Sequence, residues 1–226
     1  MKKIAGIVVF LAAAGCAFAQ NMEARLVELN GAVEVKDSGA SGWRPAVVNE
    51  AVAKDTVIST GIKSTAVVVL GNSRLLVRPL TRLSLEELRR RDGGEEVSLY
   101  LRSGRVRAEV SPPAGGRTNF TVRSPSATAS VRGTSFEFDT RYLQVDSGTV
   151  RLSDNRGQKV FVAGGQISRV DESGQRVVPP FEAANELLTP SLPEVAVTGG
   201  GGGTLAPNIP APAPVPVDAN VYVEWQ

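Results

Sequence analysis

Between residues 23 and 178 apolar and polar residues alternate in short runs, each cut by a turn rich in glycine or proline. Period two is the spacing of a strand with one buried face, and short runs closed by turn residues describe many strands. Clear runs lie at 56–59, 64–70, 74–77, 82–85, 96–101, 119–122, 135–140, 142–146, 158–161 and 166–170. Gly71-Asn72, Asp92-Gly93-Gly94, Pro112-Pro113, Ser147-Gly148 and Gly164-Gly165 punctuate them. Only Glu86 to Asp92 and Phe181 to Leu188 have a helical claim. A stretch of about 155 residues can bury a sizeable core. The expected fold is all-β, a single β-sandwich or β-roll domain of many short strands.

One phrase recurs inside this zone. Gly31-Ala32-Val33, Gly104-Arg105-Val106 and Gly148-Thr149-Val150 each open a strand with glycine. Their spacing is irregular, so they are not a solenoid repeat. They read as strands of one sheet family entered from tight turns, where glycine supplies positive φ at no steric cost.

The two ends differ from the middle. Met1-Lys2-Lys3, the apolar run Ile4 to Ala14 and Ala17-Phe18-Ala19 match the three regions of an export signal, residues 1–19. The apolar run is too short for a membrane-spanning helix, and no stretch of about twenty apolar residues occurs elsewhere, so no transmembrane segment is expected. Ala13-Ala14-Gly15-Cys16 is a relaxed lipobox, leaving two outcomes open: cleavage after Ala19, or lipidation of Cys16 and a lipid anchor. After the 23–178 domain come a short helical or irregular transition at 179–198 and a Gly/Pro-rich linker at 199–217, expected to be disordered. Residues 218–226 end the chain as a strand-like tail with Val221, Val223 and Trp225 on one face.

Composition removes whole classes of function. Of 25 basic residues, the signal takes Lys2 and Lys3, which leaves 23 against 23 acidic and no excess of charge to hold nucleic acid. Arg89-Arg90-Arg91 lies between acids and is expected in a solvated loop. With no histidine and one cysteine, histidine-based catalysis and zinc sites built on His or Cys are absent. No cofactor, metal site or catalytic residue is expected. Asp37-Ser38-Gly39 and Asp171-Glu172-Ser173-Gly174 lack the spacing of a calcium loop and read as surface turns.

The segment with the most specific pattern is Thr121 to Phe138, in which Val131-Arg132-Gly133-Thr134 interrupts two alternating runs. It resembles the signature of the FecR domain, the extracytoplasmic module named after the ferric-citrate regulator. The likeness extends in order through Gly31-Ala32-Val33, Trp43, Lys54 to Thr60, Ser64 to Leu70, Ser73 to Leu85, Leu99 to Val106 and Val145 to Val150. Such regulators resemble a cytoplasmic anti-sigma segment joined by one span to this domain. Here only a signal precedes it, so the resemblance implies the binding or sensing module and not sigma-factor control.

Within the motif, Arg132 has two readings: a bidentate clamp for a carboxylate ligand, or a partner of Glu137 or Asp139 that fixes the turn. Gly133 is expected where a Cβ would clash. Thr128, Ser130, Thr134 and Ser135 lack a neighbouring base and read as structural. Trp43 and Trp225 are candidate binding aromatics, with Trp43 first of all a core or rim residue.

The expected function is a non-enzymatic binding or sensing module of the bacterial envelope, in the periplasm or at the cell surface. Its expected partner is an envelope protein or cell-wall component. Two alternatives stand beside it. One is a structural envelope adaptor or lipoprotein. The other, remote, is a polysaccharide-active enzyme using Glu137 and Asp139, which share one strand face but form no cleft by themselves.

Overall fold

The computed structural model describes residues 22–91 and 94–188. The chain divides into two units, Met1–Pro190 and Ser191–Gln226, and every described residue belongs to the first. Residues 1–19 with Cys16, the Gly/Pro-rich stretch and the C-terminal segment with Trp225 lie outside the described residues.

Two nine-stranded sheets form the fold, as the alternation predicts. Sheet I runs in the order β18 (Val177–Val178), β17 (Ile167–Val170), β14 (Tyr142–Ser147), β13 (Thr134–Asp139), β10 (Arg105–Val110), β7 (Ser73–Val77), β6 (Thr65–Leu70), β1 (Ala24–Asn30), β4 (Ala51–Val52). Sheet II runs β16 (Lys159–Ala163), β15 (Thr149–Asp154), β12 (Ala127–Val131), β11 (Arg117–Arg123), β9 (Gly94–Ser103), β8 (Arg82–Arg91), β5 (Val57–Thr60), β2 (Val33–Lys36), β3 (Arg44–Pro45). All pairs are antiparallel except β9 with β11. The inward faces share one apolar core, with Phe136 and Phe138 from sheet I and Phe120, Leu99 and Leu152 from sheet II completely buried.

The chain alternates hairpins within one sheet with crossings to the other. β9 passes to β10 through Gly104 alone, β14 to β15 through Gly148 alone, and β12 to β13 through Arg132-Gly133. So sharp a corner needs a backbone that L side chains rarely adopt. Gly104 has φ +89° and Gly148 φ +85°. A Cβ on Gly104 would stand 2.7 Å from the Leu80 carbonyl oxygen, and one on Gly148 would stand 2.8 Å from that of Gly133. The recurring glycine phrase thus marks changes of sheet rather than one sheet family: β10 is in sheet I, β2 and β15 in sheet II.

Corners stack on one another through buried hydroxyls. Thr81 Oγ1 accepts the Arg105 N–H at 2.9 Å, and Thr60 Oγ1 accepts the Thr81 N–H at 3.0 Å while donating to the Arg78 carbonyl at 2.6 Å. Ser64 Oγ accepts the Ala32 N–H at 2.9 Å, and Thr134 donates to the Thr149 carbonyl at 3.2 Å. These bonds satisfy backbone groups that the ladders drop where the chain leaves a sheet.

Two sequence expectations are corrected. Glu86 to Arg91 is strand, not helix, and Arg89-Arg90-Arg91 belongs to β8 rather than a loop. Leu85 and Leu88 are three apart, a helical spacing, but the register shifts between Leu85 and Glu87. The extra residue in that bulge returns Leu88 to the core face. Arg89 pairs with Glu87, and Arg90 reaches the fully buried side chain of Glu95 at 2.7 Å. Gly133 is the second correction: its φ is not positive and its nearest Cβ neighbour would be Pro112 Cδ at 3.5 Å. The two-residue corner spreads the bend that Gly104 and Gly148 take alone.

The expected helical stretch at 181–188 is α1 (Pro180–Leu188), packed on sheet I beside β17. Ala183 is its buried contact, and Arg169–Glu186 and Arg176–Glu182 pair at 2.7 Å. Ahead of it Asp171 accepts the Gln175 N–H at 2.9 Å, which with the Ser173 hydroxyl and the Arg176 N–H holds its carboxyl below the usual aspartate range. This carboxylate serves its own turn.

Gly104→Ala and Gly148→Ala should each lower stability by more than about 2 kcal/mol, and Thr81→Val by about 1–3 kcal/mol because the Arg105 N–H loses its acceptor. Gly133→Ala should stay within about 1 kcal/mol. Urea unfolding midpoints compare all four. A lowered folded pKa means that the contribution of Asp171 is complete above the ordinary aspartate value and fades as pH falls through the folded one. In an acid titration followed by NMR, the Gln175 amide should shift with a midpoint below that of an unperturbed aspartate.

Candidate ligand-binding groove

Strand alternation that buries Val131, Val150 and Val162 turns their neighbours outward on sheet II. Register then brings side chains from four strands into one row: Thr121 opposite Ser130, Ser130 opposite Arg151, Arg151 opposite Phe161. Beside this row the corner presents Arg132. Of these, Ser130, Arg132, Arg151 and Phe161, together with Asn119, Thr149 and the motif backbone, line a groove of about 560 Å³.

The groove's cations are what set it apart. Neither the Arg132 nor the Arg151 guanidinium has an ion-pair or hydrogen-bond partner among the described residues, and no acid lines the groove. The outer face of sheet I shows the opposite. There Arg78 and Arg105 bind Glu137 at 3.0 and 3.2 Å, Arg105 reaches Asp139 at 3.5 Å, and Arg107 binds Asp146 at 2.8 Å. A larger groove of about 730 Å³ under α1 is also charge-balanced, with its Arg105 and Arg169 both paired.

These placements remove one of the two readings of Arg132. It does not pair with Glu137 or Asp139, because the corner leaves it on sheet II while they point out of sheet I. Glu137 and Asp139 do share a face of β13, and their oxygens are taken by arginines and by the backbone N–H groups of Arg141 and Tyr142. Of the motif, Val131 is core, Thr134 is the buried hydroxyl of the corner and Gly133 lines the groove. Gly104 and Gly148 are structural corners.

Trp43 lies at the opposite edge of sheet II, next to β3, 38% exposed, with the Arg82 guanidinium 5.1 Å from its ring centroid. It does not line the groove. Sequence reasoning passed over Arg151, Phe161 and Asn119. The alternation in Gly148-Thr149-Val150-Arg151-Leu152 already turns Arg151 outward, but only strand order places it beside Arg132.

Chemically, two guanidiniums, a carboxamide, Ser and Thr hydroxyls and the flat face of Phe161, 67% exposed, suit an anionic group. Guanidinium presents paired donors that match a carboxylate or phosphate bidentately. The groove holds no nucleophile beside a base.

A family model described as FecR protein matches residues 56–168. The chain belongs to the FecR family. The matched segment contains Asn119, Arg132, Arg151 and Phe161, so the groove is built wholly from the family domain. Two crystal structures of a candidate anti-sigma factor from Parabacteroides distasonis are similar at 15% identity, with TM-scores of 0.44 and 0.42. Each alignment covers 58% of this chain, and it spans 64% and 63% of those chains. No curated protein matches the sequence. Among the described residues no helix is long and apolar enough to cross a membrane.

Arg132→Ala and Arg151→Ala should leave unfolding midpoints within about 0.5 kcal/mol of the parent, since neither side chain supports the fold. Arg105→Ala, which releases Glu137 and Asp139, should cost roughly 1 kcal/mol after allowing for its half-exposed setting. Chemical denaturation of the three variants makes the comparison.

Proposed function

We propose that this FecR-family protein is an exported, non-enzymatic binding and sensing module of the bacterial envelope, working in the periplasm or at the cell surface. Its groove takes an anionic group of an envelope protein or cell-wall component. The observation that carries this reading is the pair of unpaired guanidiniums, Arg132 and Arg151, in a groove without an acid. On the outer face of sheet I, by contrast, Arg78, Arg105 and Arg107 are taken up by Glu137, Asp139 and Asp146. Two left free side by side on a rigid sheet are available to a ligand without reorganisation. Family membership supports a regulatory role with protein partners. The signal-like residues 1–19 support export, and cleavage after Ala19 makes the protein a soluble one.

Two measurements test this. Immobilised protein should retain a component of envelope extract from the native host, and each of Arg132→Ala and Arg151→Ala should weaken that retention about tenfold or more, as loss of a charge-assisted bond implies. Retention unchanged in the double variant would refute the groove. Intact-mass analysis of the protein from its host should give a chain starting at Gln20; an acylated Cys16 would replace the soluble form with an anchored one.

A further inference from the structure

Each sheet has two edges, and three of the four end in strands of two residues: β18, β4 and β3. β3 also carries Pro45, which cannot donate to a further strand. The fourth edge, β16, is five residues long and reads Lys159-Val160-Phe161-Val162-Ala163. Short edges and proline are the usual protections against strand addition, and β16 has neither.

Its backbone shows where a strand would fit. The Asp154 N–H bonds the Gln158 carbonyl at 3.0 Å, and the Gly164 N–H bonds the Gly148 carbonyl at 2.9 Å. With the β15 register, these fix the parity: Val160 and Val162 exchange their bonds with β15, and Lys159 and Phe161 turn theirs outward. Ala163 also points outward, but its N–H is taken by the Gln166 side chain at 2.9 Å and its carbonyl by the Gln166 N–H at 3.0 Å. Gln166 therefore stops the edge at Ala163, leaving two residues with free donors and acceptors.

We infer that β16 accepts an extended segment of a partner protein as a tenth strand of sheet II, with apolar residues at alternate positions and acidic residues between them. The backbone of Lys159 and Phe161 supplies the hydrogen bonds, the usual source of affinity when a strand is added. Inward residues of the segment cover half-buried Val160 and continue the core. Outward residues lie alongside Lys159 and Phe161, on the face that also carries Arg151 and Arg132. Lys159, Arg151 and Arg132 have no acidic partner among the described residues, and that surplus of positive charge selects acids at the outward positions. The inference deepens the anionic-ligand reading of the groove and rests on it for the choice of acids, but the hydrogen bonds at the edge do not depend on the arginines.

The test uses the full chain and a synthetic peptide alternating valine and glutamate, with valine–lysine and scrambled valine–glutamate peptides as controls. Expected is saturable binding of the first alone, with slowed hydrogen exchange at the Lys159 and Phe161 amides. Phe161→Pro removes an outward N–H that bonds to no neighbouring strand, and should abolish binding. Phe161→Asp keeps the N–H and should weaken binding at least tenfold by repulsion, so a misfolded proline variant does not leave the question open. Equal binding of all three peptides, protection elsewhere, or amide protection that grows with protein concentration alone, the mark of a second copy on the edge, would each overturn it. If Phe161→Pro still captures the envelope component while the double arginine variant does not, the groove stands and the strand fails; the reverse result separates them the other way.

Discussion

The fold depends on its tightest corners, where the chain changes sheets through one or two residues at Gly104, Arg132-Gly133 and Gly148. A two-layer roll must carry its backbone across the core edge many times, and at each crossing the ladder bonds stop. Glycine at 104 and 148 makes the turn sterically feasible, and Thr60, Ser64, Thr81 and Thr134 satisfy the backbone groups that the turn releases. Because one corner sits on the next, Thr81 against Arg105 and Thr134 against Thr149, the crossings lock each other into register. The alternation of the strands buries its apolar half only if that register holds.

The same corners set the chemistry of the surface. Crossing at Arg132-Gly133 leaves Arg132 on the outer face of sheet II and sends the next strand into sheet I, carrying Glu137 and Asp139 to the far side. Sequence neighbours of opposite charge are thereby kept apart. Sheet I consumes its charges internally, a surface arrangement of modest energy that mainly fixes side chains. Around β12, β15 and β16, sheet II is left with arginines facing hydroxyls and an aromatic ring. The paired arginines of sheet I and the unpaired ones of this groove differ in topology rather than composition.

The sequence was most legible where a single interaction period governs the local structure. Strands such as Ser73–Val77 and Thr134–Asp139 bury every second residue, and α1 lies between Pro179 and Pro190 where the run Phe181 to Leu188 placed it. It misled at Leu85 and Leu88, because a bulge in a strand and a turn of helix leave the same three-residue spacing between apolar side chains. The V-R-G-T motif was visible, and its glycine was given the strain that belongs to Gly104 and Gly148; a sequence does not state how many residues share a bend. Trp43 was visible too, yet it stands at the other edge of the sheet from the groove.

By itself, the sequence determined the all-β class, the positions of the turns, the family, and the absence of histidine chemistry, since all of these follow from residue identity and short-range period. Tertiary structure alone decided that Arg132 and Arg151 are neighbours, that neither has an acid to pair with, and that β16 is an edge. Each of these depends on which strands lie side by side, and strand order is set by non-local pairing through the whole core. No local pattern in Thr149–Asp154 distinguishes a strand beside β12 from a strand beside any other.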